Sequence, residues 1–254
     1  MCGHCGCGAS FLNVPAVNSS RPVDAGLLTV SIQTKILAVN DASAEKNRRE
    51  FTASRNFAIN FLSSPGAGKT TLLVETIKRI TTLPISVIEG DQQTDLDAER
   101  IRATGAAAVQ INTGRGCHLE AGSVSAAWRE LQSQHDGLLF IENVGNLVCP
   151  ALFDLGEALK VLVLSVTEGD DKPLKCPDIF RVADVLLINK IDLLPYVRFD
   201  VATCLANARR INPTLAAIHV SAERGDGLDD WIAWLLLRRQ AWLATLKSTA
   251  AGVS

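Results

Sequence analysis

Three cysteines and a histidine are concentrated in the first seven residues, MCGHCGC. Cys2, Cys5 and Cys7 supply three thiolates, which are soft ligands for zinc, copper(I), nickel and iron–sulfur clusters. A structural zinc site usually takes its four ligands from two separated pairs, and this stretch lacks the second pair. Removal of Met1 would free the amine of Cys2 as a fourth donor, with His4 as the alternative. Because a planar set of nitrogen and sulfur ligands favours Ni(II) or Cu(II), the pattern predicts a metal site that suits nickel or copper.

A second chemical motif, SSPGAGKTT, follows the apolar run NFAINFL and precedes a helical pattern. Compared with the phosphate-binding pattern G-x-x-x-x-G-K-[ST], Ser63 replaces the first glycine, whereas the final GKT matches. Such a loop points successive backbone N–H groups at phosphate oxygens beside a helix N-terminus. We expect Lys69 to reach the β- and γ-phosphates and the hydroxyl of Thr70 to bind Mg²⁺. The predicted nucleotide-binding residues of this stretch are Gly66, Ala67, Gly68, Lys69, Thr70 and Thr71.

A third motif, NKID, ends an apolar run and predicts which base is bound. An ionised Asp192 only accepts hydrogen bonds, so it suits the adjacent N1–H and N2–H₂ donors of guanine, whereas adenine has no such pair. The aliphatic stem of Lys190 can cover the base. A later strand is followed by Ser-Ala, where GTPases commonly place a loop near the guanine O6. The predicted guanine-binding residues are Asn189, Lys190, Asp192, Ser221 and Ala222.

Acidic residues after two other apolar runs are candidates for the hydrolysis machinery. Asp91, in EGDQQTD, is placed to hold the Mg²⁺ shell or to orient the attacking water. Asp95 is a second candidate, which could instead cap the following helix. Glu142, in ENVG, could approach Mg²⁺ through water, and Gly145 could let a backbone N–H approach the γ-phosphate, so ENVG is a predicted switch. Since no glutamine or arginine finger is assigned, we expect slow intrinsic hydrolysis.

A second cluster of metal-ligand types is predicted inside the same domain. Cys117 and His118 follow GRG at a loop-to-helix junction, and Cys149 lies a few residues past the predicted switch. Three ligands from one chain are too few for a closed site, but a symmetric dimer would double them across its two-fold axis. Metal binding would then couple to nucleotide state through switch movement. The alternative is that Cys117 and Cys149 are simply buried apolar residues.

Composition excludes several classes of function. The 254 residues include 25 Lys and Arg against 27 Asp and Glu, and the net charge of −2 without a basic patch argues against nucleic-acid binding. No stretch of about 18 apolar residues occurs, and no signal-peptide pattern is present, so we expect no membrane span. Seven cysteines, an odd number, do not suggest a disulfide framework. We therefore expect a cytoplasmic protein with reduced thiols.

These motifs require a mainly parallel sheet with helices on both faces, because apolar runs rich in Val, Ile and Leu alternate with helical patterns. The motifs follow the ends of the runs, which is the edge where open α/β sheets bind ligands. The runs are at 56–62, 84–90, 106–112, 137–143, 159–166, 182–189 and 215–221.

Three regions are predicted along the chain. Residues 1–28 lack periodicity and are expected to form a flexible cysteine-rich arm. Residues 29–56 are expected to form an extension, with a strand in LLTVSIQ followed by a helix, that packs on the next domain. Residues 57–248 are expected to form the P-loop GTPase domain.

Together these motifs resemble the HypB family of hydrogenase maturation GTPases. The resemblance covers the whole chain and rests on MCGHCGCG, SSPGAGKTTLL, EGDQQTD, GRGCHLEA, ENVGNLVCP, VTEGDDKPLK, NKIDLLP and SAERGDGLDDW. It implies a dimeric P-loop GTPase that binds GTP or GDP with Mg²⁺ and inserts nickel into [NiFe] hydrogenase. The implied partners are a second copy, a nickel accessory protein and the hydrogenase large-subunit precursor.

The resemblance also implies roles for individual residues. The tight nickel ligands would be Cys2, Cys5 and Cys7, and the weaker nickel or zinc ligands of the GTPase domain would be Cys117, His118 and Cys149. Lys172 would reach the nucleotide of the partner subunit, beside the catalytic candidates Lys69, Asp91 and Glu142. The chain departs from the family in two respects: Cys176 stands where tyrosine is common, and the arm has no long histidine tract, which argues against storage.

Three alternatives stay open from the sequence. A urease-type nickel GTPase would share the P-loop and the internal cluster, but a C-x-x-C-x-C start is not expected there. A metal-storage protein would have an inactive nucleotide site, which GTP hydrolysis by the wild type and by Lys69→Ala would test. A zinc-dependent regulator would prefer zinc when nickel and zinc compete.

Overall fold

The computed structural model describes residues 25–91, 95–131 and 135–251. The predicted ligands Cys2, Cys5 and Cys7 lie outside the described residues, and the arm site stays a prediction. The chain divides into two units, Met1–Lys35 and Ile36–Ser254, and the sheet and the candidate site residues described below belong to the second unit. None of the helices in the described part of the chain has both the length and the apolar character that a membrane span requires.

Seven strands form one sheet in which every neighbouring pair is parallel, in the order β3-β2-β4-β1-β5-β6-β7. The predicted parallel α/β sheet is therefore confirmed, and each apolar run overlaps one strand, with β1 and β2 each extending one residue beyond the run. The strands are β1 (Phe57–Ser63), β2 (Ile85–Asp91), β3 (Ala107–Asn112), β4 (Leu138–Glu142), β5 (Leu159–Ser165), β6 (Val185–Asn189) and β7 (Ala216–His219).

Eight α-helices are described, and they cover both faces of the sheet. Helices α2, α3 and α8 pack on one face, and α1, α4, α6 and α7 pack on the other. The helices are α1 (Ala25–Ala53), α2 (Lys69–Arg79), α3 (Leu96–Arg102), α4 (Ala121–Leu131), α5 (Lys172–Lys175), α6 (Pro177–Val182), α7 (Val201–Ile211) and α8 (Leu228–Ala251), with 3₁₀ turns at Cys149–Ala151 and Ile191–Tyr196.

Alternation along the strands fills two cores. On β1, Phe57, Ile59 and Phe61 pack against α2 and α8, whereas Leu62 packs against α6 and α7 on the opposite face. Trp231 of α8 is fully buried against the first face, and its indole N–H donates to the hydroxyl of Thr76 on α2 at 3.0 Å. Strands buried on both faces read as continuous apolar runs, which explains why the sequence predicted them.

Helix α1 replaces the predicted strand at LLTVSIQ, so that part of the prediction is wrong. The alternating Leu, Val and Ile residues are typical of a strand, but no Gly or Pro occurs from 27 to 53. A helix that NDASAEKNRREF favours can therefore extend back through these residues, because adding a residue to an existing helix is far easier than starting a new element.

The later part of α1 is bonded to two loops of the domain. The side chain of Asn40 donates to the carbonyl of Asp154 at 2.7 Å and accepts from the N–H of Ala121 at 2.9 Å. Asn47 donates to the carbonyls of Ala121 and Leu155 at 2.8 and 3.0 Å. These bonds attach α1 to the first residue of α4 and to the loop that leads into β5.

Candidate functional site

The chemical motifs meet at the carboxyl edge of the sheet, around a cleft of about 550 Å³. The loop after β1 forms one wall, and the ends of β2 and β4 form another. The lining residues with functional side chains or special backbone are Gly66, Gly68, Lys69, Thr70, Glu89, Asp91, Asp97, Glu142, Gly145 and Lys190.

The loop between β1 and α2 has the conformation that a phosphate site needs. Gly66 and Gly68 have φ of 74° and 91°, and a Cβ on Gly68 would lie 2.6 Å from the amide nitrogen of Asn189, so only glycine fits there. Ser63, where the pattern has glycine, is buried as the last residue of β1, and its hydroxyl donates to the carbonyl of Ser64. Helix α2 begins at Lys69, so the N–H groups of its first turn face the loop.

Glu142 receives the two side chains that the sequence assigned to phosphate and magnesium. The ammonium of Lys69 and the hydroxyl of Thr70 both donate to its Oε1 at 2.8 Å. The Glu142 side chain is 1% exposed and that of Lys69 is 11% exposed, so the ion pair is largely shielded from solvent. The Thr70 hydroxyl oxygen also lies 2.9 Å from a carboxylate oxygen of Asp97, so the two carboxylates share its single proton. Strands β1 and β4 are neighbours, which is why the two motifs meet.

Three aspartates at and after the end of β2 differ in their contacts with the cleft. Asp91 lines the cleft, as does Asp97 on α3, which the sequence analysis did not single out. Asp95 precedes α3, but its side chain makes no capping hydrogen bond. The signal for Asp97 was available in the DLD triplet, where helical spacing turns the second aspartate toward the P-loop.

Glu89 is a further site residue that the sequence analysis missed. Burial, and next the charges of Glu142 and Asp91, raise the pKa of Glu89 from its ordinary 4.5 to about 8. One carboxylate oxygen of Glu89 and one of Glu142 are buried without a hydrogen-bond partner among the described residues. Together with Asp91, Asp97 and the Thr70 hydroxyl, they form a set of oxygen donors, which is the set that Mg²⁺ prefers.

The predicted base-binding residues come together beside the P-loop. The amide of Asn189 donates to the carbonyl of Ala67 at 2.9 Å and accepts from the N–H of Ala222 at 3.1 Å. The hydroxyl of Ser221 donates to Asp192 at 2.6 Å, which orients this carboxylate. A smaller cleft of about 280 Å³ lies here. Its lining residues are Gly68, Thr71, Asn189, Lys190, Asp192, Leu193, Ala222 and Glu223.

Lys190 links the two clefts. Its ammonium donates to the carbonyl of Gly66 at 2.7 Å, and its backbone has a φ of 62°. The aliphatic part of the side chain therefore runs beside the P-loop and lines both clefts, as expected for a stem that covers a base.

The predicted internal metal ligands also lie together. The Cys117 and Cys149 sulfurs are 2.8 Å apart, and the Cys117 sulfur is 3.5 Å from Nδ1 of His118. The sulfur–sulfur distance exceeds the length of a disulfide, about 2.05 Å. The donor atoms of all three residues lie within 4.8 Å of one another, and each residue is partly exposed rather than fully buried. Two thiols and an imidazole suit nickel or zinc.

Phe153 holds the imidazole of His118 in place, and it was missed from the sequence. The two rings are stacked, with centroids 3.8 Å apart and planes at 29°. Burial lowers the pKa of His118, with a smaller opposing effect of Glu120. The neutral imidazole, which is the form that binds metal ions, is thereby favoured.

The remaining predicted residue, Lys172, begins α5 and does not line either cleft. Its ammonium lies 3.6 Å from the carboxylate of Glu168. Two other thiols are outside the cluster: Cys176 is partly buried beside α6, and Cys204 is buried on α7, which raises its pKa to about 12. The Cys204 thiol is thus unreactive.

The parallel sheet, the glycine loop before α2 and the base cleft define a P-loop nucleotide-binding protein. Residues 57–219 match the family model described as CobW/HypB/UreG, nucleotide-binding domain. The chain is 54% identical over 241 residues to hydrogenase maturation factor HypB of Azotobacter chroococcum mcd 1, covering 94% of this chain and 77% of that protein. It is 50% identical over 239 residues to HypB of Escherichia coli K12, covering 94% and 80%.

Solved structures agree with these relatives. HypB of Helicobacter pylori in complex with nickel superposes with a TM-score of 0.76 at 37% identity, covering 80% of this chain and 95% of that one. HypB of Archaeoglobus fulgidus superposes with a TM-score of 0.75 at 43% identity, covering 80% and 99%. The chain therefore belongs to the HypB family of hydrogenase maturation factors, which confirms the resemblance seen in its motifs.

Glu89→Gln should stabilise the protein at neutral pH. The pKa of Glu89 is about 8 in the folded protein and an ordinary 4.5 in the unfolded chain. As the pH rises, Glu89 therefore ionises first in the unfolded chain, and the free energy of unfolding falls between pH 4.5 and pH 8. Glutamine removes this loss, and we expect a gain of ~1–3 kcal/mol at pH 7 that vanishes near pH 4.

Urea unfolding at both pH values, without nucleotide and with a chelator and a reductant present, measures this difference. Glu130→Gln, on the exposed face of α4, is the matched control and should change nothing. An equal stability of Glu89→Gln and the wild type at pH 7 would contradict the role assigned to burial of Glu89.

Proposed function

We propose that this protein is a GTP-hydrolysing nickel metallochaperone that delivers nickel during maturation of [NiFe] hydrogenase, with dimerisation and metal transfer gated by the nucleotide. One observation supports this most: the segment 142–149 begins with the carboxylate that holds the P-loop side chains and ends with a ligand-type cysteine. A relative of known structure was solved in complex with nickel. The chain thus has a phosphate site and a thiol cluster on one short segment.

The nucleotide in this proposal is GTP, on the chemistry of the base cleft. Asp192 would accept from the N1–H and N2–H₂ groups of guanine, while Ser221 fixes the carboxylate by its hydrogen bond. Adenine has no such pair of donors, so the half-buried carboxylate of Asp192 would lose these two hydrogen bonds and keep only that of Ser221. Asn189 bonds the base-binding residues to the P-loop, so binding of the base and binding of the phosphates would affect each other.

For hydrolysis, Lys69 would bind the β- and γ-phosphates, and Thr70 with Asp91 would hold Mg²⁺. When bound, Mg²⁺ supplies charge neutralisation at the phosphates. Glu142 would lose Lys69 to the phosphates and Thr70 to Mg²⁺, and it would then orient water around Mg²⁺. Lys172, which lines neither cleft, would act on the nucleotide of a partner subunit. With no residue assigned to complete the site in one subunit, intrinsic turnover would be slow.

The cargo in this proposal is nickel. Cys117, His118 and Cys149 would bind Ni²⁺, or Zn²⁺ in its place, and a homodimer would bring a second set of three ligands to the two-fold axis. Cys2, Cys5 and Cys7 would form the tighter nickel site of the arm. The metal would pass to the hydrogenase large-subunit precursor with the help of a nickel accessory protein, in the cytoplasm where thiols stay reduced.

Asp192→Asn tests the assignment of guanine. An asparagine amide can donate to the O2 of xanthine, so we expect GTP affinity to fall about 10- to 100-fold, equivalent to ~1.5–3 kcal/mol for a hydrogen bond to a charged group, and XTP affinity to rise. Competition of each nucleotide against a fluorescent GDP analogue measures both changes.

Asp184→Asn is the matched control, because Asp184 is exposed and accepts from a backbone N–H outside both clefts. It should leave both affinities unchanged. If Asp192→Asn discriminates against XTP as strongly as the wild type does, the base is not read by Asp192.

Cys149→Ser tests the internal nickel site. In the full-length chain with Cys2, Cys5 and Cys7 replaced by alanine, loss of one thiolate should weaken Ni²⁺ binding by at least tenfold, or about 1.4 kcal/mol. Titration followed by the nickel–thiolate charge-transfer band measures the affinity. Cys176→Ser, outside the cluster, is the control, and equal nickel affinity of the Cys149→Ser protein would exclude Cys149 as a ligand.

A further inference from the structure

Two asparagines connect the segment after β4 to the loop that carries two of the three clustered ligand residues. We call residues 142–149 the connecting segment and residues 117–119 the ligand loop. The Oδ1 of Asn143 accepts from the N–H of Leu119 at 3.1 Å. The Nδ2 of Asn146 donates to the carbonyl of Cys117 at 3.2 Å. The connecting segment thus holds the ligand loop at both of its ends.

The same segment contacts the phosphate loop at two points. Glu142 accepts from Lys69 and Thr70, as described above. Three residues later, Gly145 lies against Pro65 so closely that a Cβ on Gly145 would be 3.0 Å from the Cα and nitrogen of Pro65. A change in the P-loop side chains therefore acts directly on the first half of the connecting segment.

The asparagines are held firmly enough to transmit such a change. Asn143 is fully buried, and its Nδ2 donates to the Oδ1 of Asn60 on β1 at 3.3 Å. Asn146 accepts from the N–H of Val148 at 2.9 Å, which fixes its side-chain orientation. The Asn143 bonds are buried, so solvent cannot replace them and they are costly to break. The Leu119 end of the ligand loop therefore follows the first half of the segment.

The second half of the segment is anchored elsewhere. Leu147 is buried in the core formed with α6 and α7, and Ala151, in the 3₁₀ turn that begins at Cys149, packs against the same core. Cys149 is therefore attached to this core. The ligand loop is bonded to both halves of the segment, at Leu119 through Asn143 of the first half and at Cys117 through Asn146 of the second half. Relative movement of the two halves therefore shifts the ligand loop and changes the distance between the Cys117 and Cys149 sulfurs, which is 2.8 Å here.

We propose that Asn143 and Asn146 are positioning residues that transmit the state of the phosphate site to the Cys117–His118–Cys149 cluster. Phosphates would compete with Glu142 for Lys69, and Mg²⁺ would compete with it for the Thr70 hydroxyl, so a triphosphate with Mg²⁺ would free Glu142 to move, and the ligand loop would move with it. The inference rests on the proposed function, since it names the residues through which the nucleotide gates the metal. By linkage, the metal changes nucleotide affinity by the same factor.

The test measures a ratio of affinities. In the full-length chain with the three arm cysteines replaced by alanine, Ni²⁺ is titrated in the presence of Mg²⁺ with GDP and with a non-hydrolysable GTP analogue. We expect the two dissociation constants to differ by about tenfold in this parent protein. Asn146→Asp keeps the acceptor for Val148 but loses the donor to Cys117, and it should reduce the ratio to below threefold.

Asn143→Ala removes the second connection and should bring the ratio close to one. Asn212→Asp is the matched control: this half-buried asparagine also donates to backbone carbonyls, of Phe180 and Ala183, and accepts from a backbone N–H. It should keep the full ratio. A merely structural role would lower the nickel affinity equally with both nucleotides and leave the ratio unchanged.

The outcomes separate the inference from the proposed function. A parent ratio well above one that persists in Asn146→Asp and Asn143→Ala overturns the role of the asparagines and leaves gating intact. A parent ratio of one overturns gating itself, and the inference with it. If Asn143→Ala does not fold, Asn146→Asp decides alone, because its side chain is only partly buried and the change is isosteric.

Discussion

The Glu142 carboxylate lies at the end of a central strand with almost no exposure to solvent, and it takes the ammonium of Lys69 and the hydroxyl of Thr70 as its partners. A buried charge is tolerated only when it is paired, so neither side of this ion pair can leave without a substitute. A phosphate at the P-loop can replace Glu142 as the partner of Lys69. A divalent cation can replace Lys69 as the partner of the Glu142 carboxylate. The ion pair therefore makes the position of Glu142 depend on the nucleotide.

The topology of the sheet lets this change of partners at Glu142 affect the metal cluster. Strand β4 lies next to β1, so the residues at its end contact the P-loop, and Asn143 and Asn146 bond to the loop that follows β3. Glu142, Asn143 and Asn146 are consecutive parts of one connection, and Cys149 follows directly. A nucleotide site and a metal cluster are thus neighbours because two adjacent parallel strands end at the same edge. The helix α1 supports this edge, since Asn40 and Asn47 bond to the start of α4 just after the ligand loop.

The sequence predicts the strands, the P-loop and the base loop well, because each depends on local patterns: apolar runs buried on both faces, and glycine, lysine and aspartate at fixed spacing. It fails where a residue's role depends on a neighbour distant in the chain. Glu89 looks like an ordinary strand residue, and its raised pKa comes first from burial in the folded sheet and next from the charges of Glu142 on β4 and Asp91 at the end of its own strand. Phe153 lies in a loop without periodicity, so its stacking on His118 has no local signal.

The error at LLTVSIQ has the opposite origin. There the local pattern favours a strand, but no helix-breaking residue occurs from 27 to 53, and the helix extends through the apolar residues. Asn143 and Asn146 have no predicted role, because an asparagine in a turn is common and only the folded chain shows which backbone groups it meets. The features that link the two sites are accordingly those that no local pattern encodes.

The most direct test of the central claim is a crystal structure of the full-length protein with Mg²⁺ and a non-hydrolysable GTP analogue. Lys69 Nζ and Thr70 Oγ1 should leave Glu142 Oε1, from which each is now 2.8 Å away, and the separation of the Cys117 and Cys149 sulfurs should change with them. If the triphosphate binds while Glu142 keeps both donors and the sulfur separation is the same, the phosphate site and the thiol cluster are not coupled through this carboxylate.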